Sequence, residues 1–228
     1  MRRECFIKRI VLAVAVASVA MSAFARKDQE WTNFAVNYEI YKGLALHFDQ
    51  EIEFDNKILV NEESFMSLGY RFCPYFGLAV GHRVVRERLL NRDLQTEHRP
   101  TIEVNLHAPE FWTLMFGFRS RFEYRDKSHY EPHVRYRERF RLGTSWSVTD
   151  LNISPYVSEE LFFSDIPGVR NSDLLRTTRS QAGLTFNLIP GNENLRCTLY
   201  FMVNHFIGDG AREWKPLNIY GFEVAYSF

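Results

Sequence analysis

Residues 111–125 read FWTLMFGFRSRFEYR, and residues 134–142 read VRYRERFRL. In the first stretch Leu114, Phe116, Phe118, Phe122 and Tyr124 share one phase of a two-residue alternation. Gly117, Arg119, Arg121, Glu123 and Arg125 share the other. In the second, Val134, Tyr136, Phe140 and Leu142 alternate with Arg135, Arg137, Arg139 and Arg141. A period of two is that of a β-strand, whose successive side chains point to opposite faces. One face of each stretch is aromatic and aliphatic, and the other is almost wholly ionic. A soluble antiparallel sheet turns such charges to water and its apolar face to a core. An outer-membrane barrel inverts this, with the apolar face to lipid and the charges enclosed.

The alternation recurs along the chain. Leu44, Leu46, Phe48, Ile52 and Phe54 oppose His47, Asp49, Glu51 and Glu53. Leu78, Val80 and Val84 oppose Gly81 and Arg83, and Ile102, Val104 and Leu106 oppose Glu103 and Asn105. Ala182, Leu184 and Phe186 oppose Gln181, Gly183 and Thr185, while Cys197, Leu199, Phe201 and Val203 oppose Arg196, Thr198 and Tyr200. At the end Phe222, Val224, Tyr226 and Phe228 oppose Gly221, Glu223 and Ala225. The segments are near the roughly 9–11 residues that a tilted strand needs to cross a bilayer. Counting back from the C-terminus gives ten strands, at 44–54, 64–73, 75–85, 97–107, 111–125, 130–142, 151–163, 177–188, 195–206 and 217–228. Residues 31–42 alternate weakly. Including them gives eleven, against the even number usual in single-chain bacterial barrels. Residues 26–43 are therefore read as an N-terminal extension, with twelve strands as the alternative.

Connection lengths alternate too. Residues 55–63, 86–94, 164–175 and 208–216 are long and polar, whereas 73–75, 107–110, 147–150 and 190–194 are short. Short periplasmic turns and longer outside loops are the habit of outer-membrane barrels. Three features resist the pattern. Gln50 and Glu138 fall on the lipid phase, adjacent Glu159 and Glu160 leave the phase of 153–163 open, and Pro155 fits a central strand poorly.

The first residues carry targeting rather than fold. Arg2, Arg3, Lys8 and Arg9 precede the apolar or small run 10–20, and Ala23-Phe24-Ala25 fits a cleavage site. Residues 1–25 thus read as a signal peptide. The run is too short for a spanning helix, which needs about 20 residues; an N-terminal anchor is the competing reading. Cys5 precedes the run, so it is no lipoprotein acceptor. Cys73 and Cys197 remain, on distant strands, and are expected as free thiols. The 28 basic and 28 acidic residues cancel, so no whole-chain field recruits nucleic acid.

The mature chain resembles an uncharacterised family of outer-membrane barrels, domain of unknown function 2490. The resemblance rests on Trp31, Glu97-His98-Arg99, residues 118–123 (FRSRFE), residues 134–141 (VRYRERFR), residues 158–163 (SEELFF) and the closing Ala225-Tyr226-Ser227-Phe228. It implies an all-β transmembrane barrel in the outer membrane of a Gram-negative bacterium. It implies no activity, so no catalytic residue is carried over.

The enclosed charges are the strongest candidate site: Glu51, Glu53, Glu103, Arg119, Arg121, Glu123, Arg135, Arg137, Arg139, Arg141 and Glu223. Opposite charges in a narrow lumen are expected to pair, because a lone buried charge is costly. The first reading is an ion-pair network that fills and stiffens the barrel. The second is a charge-lined passage for a small anion. An outer-membrane lipid hydrolase would need a Ser–His pair in reach. His82, His98 and His205 fall on the lipid phase, and Ser128-His129 in a loop, without a nucleophile motif. His129 and His133 have ligand-like spacing only on a helix, so no metal or cofactor is expected. Phe222, Val224, Tyr226 and Phe228 look like the signal read by the barrel-assembly machinery. Expected partners are outer-membrane lipids and that machinery, with the barrel itself a monomer.

Overall fold

The computed structural model describes residues 29–56, 58–88, 94–127, 132–144, 152–165, 175–189, 192–207 and 214–228. The expected signal peptide lies outside these residues. Eleven strands follow one another in chain order: β1 (Gln29–Tyr41), β2 (Leu44–Asp55), β3 (Ile58–Cys73), β4 (Phe76–Arg88), β5 (Leu94–His107), β6 (Leu114–Lys127), β7 (His133–Thr144), β8 (Ser154–Asp165), β9 (Leu175–Ile189), β10 (Asn192–Ile207) and β11 (Trp214–Ser227). Each pairs antiparallel with its sequence neighbours, and β1 closes the ring by pairing parallel with β11. Closure removes the free edges that an open sheet would offer for aggregation.

The all-β transmembrane-type barrel is as expected, with one more strand than was counted. That strand is β1, which the sequence reading set aside as part of an N-terminal extension. Trp31, Asn33, Ala35 and Asn37 take the inward phase and pair with Glu53, Glu51, Asp49 and His47 of β2. Only two strands can flank β11; with β10 on one side, an odd strand count makes the closing pair parallel. The Phe228 amide donates to the Asn37 carbonyl at 2.9 Å and ties the last residue into this seam.

A second difference concerns β3. Residues 55–63, expected as a long loop, are mostly strand, because β3 begins at Ile58. Glu62 and Glu63 disguised this start by placing charge on both phases. Much of the expected alternation of connection lengths falls on 89–93, 128–131, 145–151, 166–174 and 208–213, outside the described residues.

The wall is inverted relative to a soluble sheet. Val80 is 57% exposed and Val157 52%, whereas Glu123 is fully buried and Arg121 only 3% exposed. Phe48, Met66, Ile102, Phe116, Phe140, Leu184 and Leu199 continue the outward apolar surface. Gln50 and Glu138 keep the outward phase without a bulge. Ser64 Oγ donates to Gln50 Oε1 at 2.6 Å, and Ser120 Oγ to Glu138 Oε1 at 2.8 Å. A serine on the next strand thus gives each side chain one donor where lipid offers no partner. The phase of β8 also resolves: Tyr156, Ser158, Glu160 and Phe162 are inward, Glu159 outward. Pro155 sits one residue into the strand, opposite Leu184.

The C-terminal strand mixes burial and exposure. Phe222 and Val224 cluster with Leu195 and Cys197 of β10, flanked by Phe34 of β1 and by Phe186, Leu188 and Tyr226. Tyr226 meets Phe228 edge to face at 4.6 Å, and Phe228 is exposed. Cys73 and Cys197 are free thiols, the first exposed and the second buried.

Candidate functional site: a lumen with two unlike walls

The inward phases enclose a cavity of about 1100 Å³. Its lining extends from Gly43, Pro74 and Phe228 at the end that holds the C-terminus to Gln29, Glu87 and Arg88 at the other. Strand register decides which charges meet inside.

On one side β6 and β7 face each other with arginine rows, Arg119 opposite Arg139 and Arg121 opposite Arg137, and the carboxylates Glu103, Glu123 and Glu160 sit among them. Arg121 pairs with Glu103 of β5 and lies 3.6 Å from Glu123. Glu123 accepts from Arg135 Nε at 2.7 Å and from Arg137 at 3.0 Å. Arg137 turns its second terminal nitrogen to Glu160 at 3.0 Å, and Arg119 reaches the other oxygen of Glu160 at 2.7 Å. A planar guanidinium with several fixed donors bridges two carboxylates where an ammonium would hold one. The result is a continuous chain, Glu103–Arg121–Glu123–Arg137–Glu160–Arg119.

A second chain lies nearer the end remote from the C-terminus. Glu97 accepts from Arg99 at 2.8 and 2.9 Å and from Arg125 at 2.8 Å. Arg99 also lies 3.4 Å from Glu63, which pairs with Arg83. Two inward phenylalanines separate the arginines. Phe65 has the guanidinium carbons of Arg83 and Arg121 at 4.9 and 5.0 Å from its ring centre. Phe162 has those of Arg137 and Arg179 at 4.6 and 4.7 Å. Cations over a ring face are attracted to its negative quadrupole, so each ring lets like charges approach. Gly81 leaves room for the Phe65 ring, since a Cβ there would come 2.8 Å from its edge.

The other side is different. Asp49, Glu51 and Glu53 stand on one strand, with Glu63 directly across from Glu51. Among the described residues Glu51, Glu53 and Glu223 have no arginine, lysine or protonatable histidine within ion-pair distance. Asp49 has only His47, at 3.8 Å. Like charges opposite each other destabilise a sheet.

The sequence-derived candidates therefore divide. Arg119, Arg121, Arg135 and Arg137 are brought together with Glu103 and Glu123. Arg139 lines the cavity beside them without an ion pair among the described residues, and Arg141 stacks over the Tyr156 ring at 3.8 Å. Glu51, Glu53 and Glu223 do not meet the arginines they were expected to neutralise. The missing partners are Glu63, Glu97 and Glu160. Glu63 falls in the expected loop 55–63, whereas Glu97 stands at the first residue of the expected strand 97–107, where its phase is not weighed. Glu160 was left open by its doublet with Glu159. Phe65, Phe162 and Tyr200 escaped because they are aromatic residues on a polar phase. Gly221 was the available signal for Tyr200: a Cβ at 221 would overlap that ring. His82 and His98 lie side by side on the outward phase, 5.4 Å between ring centres with the rings tilted by 32°. Ser128 and His129 lie outside the described residues.

The fold has a solved counterpart. A structure described as a NanC porin matches with a TM-score of 0.52 at 12% identity, over 85% of this chain and 91% of that one. A second, outer-membrane expressed OmpT of Vibrio cholerae, matches at 11% identity over 78% of this chain and 62% of that one, with a TM-score of 0.38. At 12% identity the likeness to the porin structure speaks for the fold alone. No curated protein matches the chain. A family model does, and residues 28–214 match it from β1 to the start of β11. The chain, an all-β barrel with apolar outer and ionic inner faces, belongs to the family described as protein of unknown function, DUF2490.

Proposed function

We propose that this chain is a non-enzymatic, integral outer-membrane protein whose lumen forms a narrow passage for small anions. The carrying observation is the cavity of about 1100 Å³, lined by charged side chains from one rim to the other. Eight-stranded barrels are filled by their own side chains and 16-stranded porins are open. Eleven strands leave intermediate room. Arginines outnumber carboxylates in the lining. Arg139 has no carboxylate within ion-pair distance among the described residues, so it is available to a passing anion as an arginine ring is in anion pores. The facing acidic wall sets a field across the passage, which orients a solute rather than merely attracting it. Residues 1–25 act as the export signal, outer-membrane lipids surround the apolar face, and the last strand engages the barrel-assembly machinery.

The test is conductance of the purified protein in a planar bilayer under a salt gradient. Discrete steps with a reversal potential on the anion side are expected, and Arg139→Glu shifts that potential toward cations. Correctly folded protein that leaves the bilayer silent refutes the passage.

A second reading, a closed barrel braced by its ion pairs, is favoured by the Arg137 bridge between Glu123 and Glu160. It predicts that silent bilayer.

A further inference from the structure

The acidic wall holds more than repulsion. One ligand oxygen from each of Glu51, Glu53 and Glu63 lies within 4.8 Å of the other two. The sheet imposes this. Glu51 and Glu53 are two apart on β2 and so share a face, and Glu63 sits across from Glu51 on β3. Two carboxamides line the same cavity, in register with these glutamates. Asn33 on β1 pairs in register with Glu51, and Asn61 on β3 with Glu53. Asn33 is only 9% exposed, lines the same cavity as the three glutamates, and its Oδ1 is buried without a hydrogen-bond donor. Asn61 gives its Nδ2 to Glu63 Oε1 at 3.3 Å, which leaves its Oδ1 buried and equally unsatisfied. A buried acceptor without a donor carries its desolvation cost uncompensated.

We propose that Glu51, Glu53 and Glu63, with the carboxamide oxygens of Asn33 and Asn61, form a binding site for a hard divalent cation of the calcium class. The donor set is oxygen only, which suits calcium or magnesium and disfavours softer metals. Calcium takes roughly 6–8 oxygens in a flexible shell. Carboxylates that bind through one or both oxygens, with two amide oxygens and water, supply such a shell. Magnesium demands a stricter octahedron and gives up water reluctantly, so it is the poorer fit. Arg83 and Arg99 already offset the charge of Glu63. Glu51 and Glu53 therefore supply the net charge, and a divalent ion balances the two. One ion would remove the repulsion and satisfy both orphaned carboxamides. The site is independent of whether the lumen conducts.

The structure also supplies a reporter. Trp31 pairs in register with Glu53 and is 3% exposed. Directly opposed residues have Cβ atoms about 4.5–5.5 Å apart, well inside the range over which an indole sensitises a bound lanthanide. Terbium is titrated into the purified protein in detergent micelles while tryptophan is excited. Saturable terbium emission, displaced by calcium and lost in Trp31→Phe, is expected. Calcium binding followed by calorimetry survives Trp31→Phe. The double variant Glu51→Gln/Glu53→Gln should weaken binding at least tenfold, and Asn33→Leu severalfold. Should the double variant not fold, Asn33→Leu and Glu51→Gln decide. Absence of saturable emission and of calorimetric heat overturns the site. So does emission that survives Trp31→Phe, or affinity unchanged in the glutamine variants. Conductance recorded in chelator tests the passage separately.

Discussion

The β6–β8 wall and the β2–β3 wall both set like charges opposite each other, yet the first is neutralised from within and the second is not. On the first, register places arginine opposite arginine, but interleaved carboxylates neutralise them, and Glu123 answers Arg121, Arg135 and Arg137 together. On the second, register places carboxylate opposite carboxylate, and Glu63 alone is answered, by Arg83 and Arg99. Charge content therefore says little about what an enclosed wall does. What matters is whether each ion has a partner at hydrogen-bond distance, since breaking a satisfied buried pair is far more costly than relieving an unsatisfied one. The first wall is paired within itself, and the second holds the proposed cation site.

Three substitutions test that contrast, and urea unfolding in micelles followed by tryptophan fluorescence reads all of them. Glu123→Gln strikes the paired wall at its most connected and fully buried point. It leaves three guanidinium groups short of a counter-charge and is expected to cost about 3–5 kcal/mol. A loss under about 1 kcal/mol would mean that water solvates this wall and its pairing does not stabilise the barrel. Arg83→Gln strikes the point where the acidic wall borrows from the basic one. Glu63 keeps Arg99, so a smaller loss of about 2 kcal/mol is expected, the worth of a hydrogen bond to a charged group. A loss as large as that of Glu123→Gln would erase the distinction between the walls. Glu51→Gln, measured in chelator, removes a like-charge contact from the acidic wall. It should leave stability unchanged or raise it by about 0.2–1 kcal/mol. Clear destabilisation in chelator would show that Glu51 already has a partner in the lumen.

Most of the barrel was legible before any coordinates. Period-two alternation over long segments, with most charges on one phase, locates β2 and β4 to β11 and assigns their faces except that of β8. The sites of failure are instructive. β1 was set aside because its alternation is weak: Trp31, Asn33, Ala35 and Asn37 mix aromatic, amide and methyl groups on the inward phase. β3 was clipped because Glu62 and Glu63 put charge on both faces. Glu62 is accommodated outward through Gln50, whose Nε2 donates to it at 3.2 Å. Phase arguments weigh each residue by its own polarity, and neither case could be settled without knowing the neighbouring strand.

The amino-acid sequence by itself determined that the chain alternates, that its apolar and ionic residues segregate to opposite faces, and that its last strand is aromatic. These are local properties, fixed by side-chain chemistry and the two-residue repeat of an extended backbone. Tertiary structure alone decided that eleven strands close with a parallel seam and that Glu97, Glu63 and Glu160 hold the arginines. It likewise decided that Glu51, Glu53 and Glu63 converge in a cavity that Asn33 and Asn61 also line. Those outcomes depend on register between strands, which is set by how every pair around the ring aligns at once. A single-residue slip would turn each of these side chains to the opposite face.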